Sequence, residues 1–471
     1  MSEPETSELS KKESLRRELM LSGSQFKALL LISLPLVFYA CIGQIFQLID
    51  TFIASSMSAE TISTVSFVNQ LEKMLISVAA ALSIGGGVLI GKSFGSGDME
   101  KVRRQISTLF FLSIFIGTAI LIIFIPLMYP LLCLLGLPPE LRFQGTIYSD
   151  LVVVSLIFQF INTIFFAVQK SRGNTKIIMW GNLLVLFIKT SLNMLTISLV
   201  SKGLVASENG IYFLPVATIA AHFVLTIIAL ANLSSKRNPF RISLKVCEFK
   251  TTFLRPLSMM SIPIFFEKFI FAFGKAFVNS LCASMGTTVV GALGVSDRIC
   301  GLATNPITGF QEAETSLISN NLGNKNLLRA VTFLYYTIAF TAVYCLFFFA
   351  LTGIFRLAII GSFAKGNAAF ADEIDQIYRW ERFDTILNAL YVSVMGFLYA
   401  FGKTKISMTL NISRLFLFRI PILLILMKVP AFFNVLGIQS VGIAMCLSNG
   451  LVGLCAGIVA FFIIKKEMKK I

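Results

Sequence analysis

The sequence predicts an all-α membrane protein: twelve transmembrane helices in two six-helix lobes, related by a pseudo-twofold axis along the membrane normal. Three observations carry that prediction. Of 471 residues, 56% are hydrophobic and only 14% charged, against roughly 25% charge in an ordinary soluble domain. Apolar runs of about 20 residues, each enough to cross a hydrocarbon core of about 30 Å as a helix, recur along the whole length. The chain also repeats itself halfway.

The expected spans, in order, are about 26–55, 61–93, 103–128, 146–169, 177–200, 211–233, 254–284, 288–321, 328–353, 377–401, 405–428 and 440–464. The first reads ALLLISLPLVFYACIGQIFQLIDTFIASS from Ala28 to Ser56, with Asp50 as its lone charge. The second ends in GGGVLIGKS and the third starts after KVRR; the fourth stops at Lys170. Lys189 sits midway along the fifth, and the single histidine, His222, in the sixth. The seventh carries Pro263; the eighth contains Asp297, Arg298, Glu312 and Glu314. The ninth is rich in phenylalanine, the tenth holds Asp384, the eleventh Arg414 and Arg419, and the twelfth runs into KKEMKK.

Charge placement sets the orientation. With a cytoplasmic N-terminus, about 26 of the Lys and Arg residues fall on the cytoplasmic side and about six outside, the positive-inside asymmetry. That accounts for most of the net charge of +16 without nucleic acid as a partner. Both termini are then cytoplasmic, in a multi-pass protein of the plasma or inner membrane with the lipid bilayer as its partner. The polar start MSEPETSELSKKESLRREL lacks the short apolar core and small-residue site of a signal peptide. The eight cysteines are scattered and have no histidine beside them, so neither a disulfide framework nor a metal site is expected.

Adding 228 to the residue number places Ser33 and Pro35 on Ser261 and Pro263, and Leu89, Ile90 and Gly95 on Leu317, Ile318 and Gly323. An offset of 229 places Gly173-Asn174-Thr175-Lys176-Ile177 on Gly402-Lys403-Thr404-Lys405-Ile406, and Asn182 on Asn411. Six spans per copy is an even number, so both copies enter the membrane in the same sense. Such repeats commonly place a substrate site near their interface and rock about it. The expected organisation is a cytoplasmic segment 1–24, lobes 25–233 and 254–464 joined by a basic cytoplasmic linker 234–253, and a tail 465–471. A mixed-charge loop from Gly361 to Gln376 is expected outside.

Gly86 to Ser93 satisfies G-x-x-x-x-G-K-S, but that phosphate loop needs a strand before it and a helix after it. Here it ends a long apolar helix, and its repeat partner Glu314–Asn321 keeps none of the glycines, so no nucleotide is expected. The glycines 87, 91 and 95 instead make a small-residue packing face. A charge at mid-membrane costs roughly 2.5–3.5 kcal/mol on insertion scales and tends to mark an ion or substrate path. Asp50 is the strongest instance, with Gln47 and Tyr39 on its helical face; the competing reading is a carboxylate satisfied by hydrogen bonds at the headgroups. Lys189 is either functional or neutralises a neighbour. Arg298 lines an aqueous vestibule or the substrate path, and Lys275, Arg414 and Arg419 would suit an anionic or zwitterionic solute. Glu312 and Glu314 serve a polar contact between lobes or a substrate. His222 reads as a hydrogen-bonded packing residue rather than a proton relay.

Each half opens on S-L/I-P, has a GKSFGSGDMEKVRRQ or NNLGNKNLLRAV turn after its second span and a G-N/K-T-K turn after its fourth, and the first span ends in LIDT. In order and spacing these resemble the multidrug and toxic compound extrusion (MATE) transporters, over nearly the whole chain. The resemblance implies a two-lobed antiporter that exports small organic substrates while protons or sodium ions run inward, with no other cofactor. It implies that Asp50 belongs to the cation site, with Asn193 matching the second position of the fifth-span N-x-x-x-D/N pattern and Lys189 departing from the first. Thr218 falls where the family has a further oxygen ligand. Glu267 and Asp384 are similar in kind to the seventh-span glutamate and tenth-span aspartate of another branch, each about one helical turn away. With Tyr39, Gln47 and Arg298 they are the substrate-cavity candidates.

The alternative within the superfamily is a flippase for a lipid-linked saccharide or another anionic lipid. An enzyme is not expected, because no catalytic constellation accompanies the lone histidine.

Overall fold

The computed structural model describes residues 11–55, 59–134, 139–235, 238–364 and 366–469, and among them the chain is helical with no strand. A short helix α1 (Lys11–Leu21) precedes α2 (Gln25–Ser55), α3 (Ala59–Ser96), α4 (Met99–Leu134), α5 (Pro139–Ser171), α6 (Thr175–Ser201) and α7 (Ser207–Ser234). After the linker come α8 (Thr251–Ala283), α9 (Thr287–Thr304), α10 (Ile307–Gly323), α11 (Leu327–Ile354), α12 (Arg356–Ala364) and α13 (Ala368–Ala400). α14 (Thr404–Ile412) continues through a π-helical segment (Ser413–Arg419) into α15 (Ile420–Lys428), and α16 (Pro430–Leu436) leads to α17 (Gln439–Met468). Eleven described segments are long and apolar enough to cross a membrane.

The segment expected as the eighth span is built in two pieces. The single eighth span expected over 288–321 is two helices, α9 and α10, interrupted at Asn305 and Pro306. Proline has no N–H to donate and its ring clashes with the preceding turn, so the helix stops and restarts there. The loop expected from Gly361 is also largely helical, built from α12 and the start of α13. Asn367 caps α13, its side chain accepting from the Phe370 N–H at 3.1 Å. The phosphate-loop look-alike lies wholly inside α3, without the loop that nucleotide binding requires. Pro35 and Pro263 are carried inside α2 and α8, which continue through them.

The repeat is visible in the turns. Gly173 and Gly402 stand at φ 70° and 71°, in the left-handed region that favours glycine. Each closes its helix by the same pair of bonds: Asn174 N–H to the Gln169 carbonyl at 2.8 Å and Gly173 N–H to Lys170 at 2.9 Å, matched by Lys403 to Leu398 and Gly402 to Tyr399 at the same two distances. After the second span of each half, Gly97 (φ 85°) has Lys325 (φ 58°) as its counterpart, the single non-glycine at positive φ among the described residues. Asp98 and Asn326, again 228 apart, then cap the following helices through the Lys101 N–H at 3.0 Å and the Arg329 N–H at 3.1 Å.

Two compact units emerge, and each takes in part of the other half's first helix. One comprises Met1–Gly23 and Ile42–Phe265; the other Ser24–Cys41 and Phe266–Ile471. In the first, the start of α8 packs on α3 where Gly85 leaves space, since a methyl there would stand 2.4 Å from the Ser261 hydroxyl. In the second, the start of α2 packs on α10 at Gly309, where a methyl would stand 2.7 Å from the Val37 backbone nitrogen.

The N-terminal segment and the linker are part of the first unit's packing. Arg17 on α1 donates to the Phe94 and Gly95 carbonyls at 3.1 and 3.0 Å, satisfying the exposed end of α3. Glu13 pairs with buried Arg172, whose guanidinium lies 4.2 Å from the centre of the Phe240 ring. Burial pushes Arg172 down to about 10. Phe240, in the linker, is wholly buried in the core formed with Phe94, Phe110 and Phe165. Further along, the Ser243 and Glu248 N–H groups bond the Ser107 and Thr108 hydroxyls of α4 at 3.2 and 2.8 Å.

A left-handed backbone costs a residue with a Cβ roughly 1–2 kcal/mol. Lys325→Gly is therefore expected to raise stability by up to about 1 kcal/mol, glycine's unfolded-state entropy offsetting part of the gain. Gly402→Ala, where the added methyl meets nothing within 4 Å, is expected to lower it by about 1 kcal/mol. Thermal unfolding midpoints in detergent check both signs.

Candidate functional site

Each unit buries polar groups of its own. In the first unit, α7 packs along both α5 and α6. Asn162 on α5 donates to the His222 carbonyl at 2.9 Å and accepts from the Thr226 hydroxyl at 3.1 Å. That tie makes His222 a packing partner of α5. Lys189 on α6 lies close enough to His222 for their charges to interact, and Asn193, one helical turn further along α6, is buried. The Thr218 hydroxyl, on α7, donates to the Leu214 carbonyl at 3.2 Å. Gln159 donates to the Glu72 carboxylate at 2.9 Å, giving that carboxylate a neutral partner. Gln47 and Asp50 belong to α2, but their side chains lie outside the described part of the structure.

The second unit holds the denser system. Glu267 on α8 is 2% exposed, and three neutral donors from two other helices converge on it. The Tyr399 hydroxyl and the Asn411 amide, the latter at 3.3 Å, donate to Oε1; the Ser407 hydroxyl donates to Oε2 at 2.9 Å. Asp384 on α13 accepts from the Asn449 amide of α17. The Asn449 carbonyl in turn accepts from Arg419 at 3.0 Å, and Arg419 Nε donates to the Ser448 hydroxyl at 3.0 Å. Asn449 thus stands between a buried acid and a buried base and bonds both.

The π-helical segment places the two arginines. On an α-helix, residues five apart diverge by about 140°. Bonding to the fifth residue, as the Ile420 N–H does to the Leu415 carbonyl, brings such residues roughly one above the other. Arg414 and Arg419 are then near enough for their charges to interact. Arg414 lies over the Phe271 and Tyr391 rings, at 4.3 and 4.8 Å.

Lys275 pairs with Asp297 at 3.2 Å, and Asp297 also lies within electrostatic reach of Arg419. Arg298, next in sequence, is exposed. Tyr39, in the part of α2 that belongs to the second unit, is half-buried and within electrostatic reach of Glu312. The structure therefore brings Glu267 and Asp384 into one unit's interior, each with its own partners.

Several members of this system were not anticipated: Tyr399, Ser407, Glu381, Ser296, Ser448 and Asn449. Glu381 accepts from Ser296 and adjoins Asp297. A signal for Glu381 existed, since it stands three residues before Asp384, on the same side of α13, and both are buried there. The serines and tyrosines had no such signal, because a hydroxyl in an apolar span carries no charge to draw notice.

Chemically, a buried carboxylate surrounded by neutral donors is stabilised without its charge being cancelled. Such a group can take up a proton or a small cation and give it back.

The family model MatE matches residues 35–195 and 263–425, one copy in each half. Among curated proteins, a probable multidrug resistance protein NorM of Thermotoga maritima is 24% identical over 302 residues, 64% of each chain. The probable multidrug resistance protein YoeA of Bacillus subtilis is 18% identical over 305 residues, 64% of this chain and 65% of that one. The chain thus spans just under two thirds of the length of these relatives. Among solved structures, a MATE protein in complex with MaL6 superposes with a TM-score of 0.90 at 19% identity, over 98% of this chain and 100% of that one. An outward-facing multidrug resistance MATE family transporter gives 0.89 at 19%, over 98% and 100%. These likenesses show the fold. With both halves of the duplicated chain matched by its model, the protein belongs to the MatE family, the multidrug and toxic compound extrusion transporters.

Proposed function

We propose that this chain is a secondary active transporter of the cell membrane, exporting organic compounds in exchange for inward-moving protons or sodium ions. The observation that carries this reading is the treatment of acid in the second unit. Glu267 and Asp384 are buried in an apolar bundle, are held by neutral donors, and enter no ion pair among the described residues. Keeping such groups is costly unless they bind something that comes and goes. Relatives named as multidrug proteins support drug-like organic compounds as the exported class.

The coupling ion is the proton in this reading. Asp50 and Lys189 face each other in the first lobe, the ammonium discourages a sodium ion, and a proton on Asp50 releases the pair so that the helix moves. Asn193 and Thr218 complete the surroundings of Asp50. Both termini and the linker are cytoplasmic.

The deciding experiment is transport of a fluorescent cationic dye into proteoliposomes under proton and sodium gradients imposed one at a time. Asp50→Asn is expected to abolish gradient-driven movement while dye binding stays measurable. Lys189→Asn is expected to raise sodium dependence. A sodium gradient that drives the wild-type protein at constant pH as strongly as a proton gradient does would sink the proton assignment.

Orientation has its own check at Cys247, half-buried in the linker with its thiol bonded to the Ser243 carbonyl at 3.4 Å. A membrane-impermeant thiol reagent should label it in inside-out vesicles and not in intact cells. Burial raises this thiol above its ordinary value, and only the thiolate reacts. Labelling should therefore quicken as pH rises into the alkaline range.

A further inference from the structure

Glu314 stands in the middle of α10 with its side chain at 0% exposure, and neither carboxyl oxygen has a hydrogen-bond partner. It differs in this from the other buried acids of the second unit. Glu267 has three donors, Asp384 has Asn449, Glu381 has Ser296, and Asp375 has Arg356 and Arg379.

What surrounds Glu314 is tight. Its carboxyl presses against α13 at Gly396, where a methyl in place of the glycine hydrogen would stand 2.5 Å from Oε2 and 3.0 Å from the Gln311 carbonyl. The neighbouring Thr315 hydroxyl is engaged with the Gln311 and Gly396 carbonyls at 2.8 and 3.2 Å. The titratable and charged groups on the elements packed about α10 are directed elsewhere. Tyr399 of α13 donates to Glu267, Tyr344 of α11 to the Leu302 carbonyl, and Asp297 of α9 pairs with Lys275. Arg329 of α11 lies over Phe333, while Tyr39 of α2 and Glu312 of α10 act on one another.

An ionised carboxylate in such a place bears its full desolvation cost with nothing to offset it. The neutral acid bears only the smaller cost of an unmade hydrogen bond. The proton therefore stays.

We propose that Glu314 is a proton-binding site of the second unit, occupied while α10 is closed on α13 at Gly396 and emptied when those helices part and water reaches the carboxyl. On release the O–H bond breaks, its electron pair remains on the carboxylate, and the proton passes to water; reclosure requires a proton from water in return. Two helices held together through a neutral acid thus separate at the cost of a proton lost and re-form by a proton gained. The role in turnover rests on the transport reading above. The occupancy does not.

The test compares the full-length wild type with Glu314→Gln, a neutral change of nearly equal shape, in reconstituted membranes at neutral pH. The infrared spectrum of the wild type should contain the carbonyl band of one protonated carboxyl that the variant lacks; spectra without that difference overturn the proposal. Ethidium transport by the variant should show a pH dependence shifted from that of the wild type, with the Asp50 contribution kept, while ethidium binding is retained. A variant that keeps the wild-type pH profile overturns the role in turnover. If the wild type moves no ethidium under any gradient, it is the exporter reading that fails, and the infrared band still decides the occupancy. Should the variant not fold, wild-type protein treated with dicyclohexylcarbodiimide, which adds to protonated carboxyls in apolar surroundings, decides the matter: an adduct mapped to Glu314 rather than Glu312 supports the site, and an unmodified Glu314 overturns it.

Discussion

The rest of this structure depends on one constraint: inside the bilayer no water is available to pair a polar group, so the backbone must find its partners within the protein and an unpaired side chain is costly. Unbroken helices meet that demand for the backbone, which is why the crossings are helical. The two departures coincide with side-chain chemistry. The interruption at Asn305 and Pro306 lies between Asp297 on α9 and Glu314 on α10, and the π-helical segment carries Arg414 and Arg419 at nearly either end. Where the helix is irregular, charge is being positioned. Neutral hydroxyls and amides then do for the carboxylates what water does outside, as Ser407, Tyr399 and Asn411 do for Glu267.

The duplication preserved the scaffold and let the interior diverge. Turn geometry repeats at Gly173 and Gly402 down to the hydrogen-bond lengths, because a left-handed closure admits few solutions. The charged interior positions do not repeat: Tyr39 in the first half corresponds to Glu267 in the second, and Asp50 to Val278. The two copies consequently house different arrays of acid and base on the same framework, and the proton chemistry assigned to one need not be mirrored in the other.

Much of the fold was legible in the sequence because membrane insertion leaves a strong one-dimensional record. Long apolar runs, basic flanks and the offset of 228 located the crossings, while several helices run past the expected boundaries, α5 starting at Pro139 rather than near 146 and α13 at Ala368 rather than near 377. The eighth span, expected over 288–321, is present as α9 and α10, and its break falls at Asn305 and Pro306, where the run holds its one proline. The docking of the linker through Phe240 and of α1 through Arg17 was hidden, because hydropathy marks what enters lipid, not what packs beneath it. Of the candidate site, Glu267 and Asp384 were visible as charges out of place. Their partners were not, because serine, tyrosine and asparagine are unremarkable in a span until three dimensions bring them to a carboxylate. Conversely Asp50, the clearest signal in the sequence, has its side chain outside the described structure.

The composition of the compact units bears on how such a chain is made and where it came from. The first unit is completed by residues up to Phe265, and the second includes Ser24–Cys41 from near the start. A nascent chain that has released only its first six crossings therefore still lacks the piece of α8 that seats against Gly85. Its own early segment meanwhile waits for α10, which is synthesised much later. Neither half of the sequence contains a whole compact unit. Before duplication, a protein of six crossings with this packing would have had to trade its first-helix segment with an identical copy, as exchanged dimers do. Fusion of two such genes would have made permanent a partnership that was already obligatory.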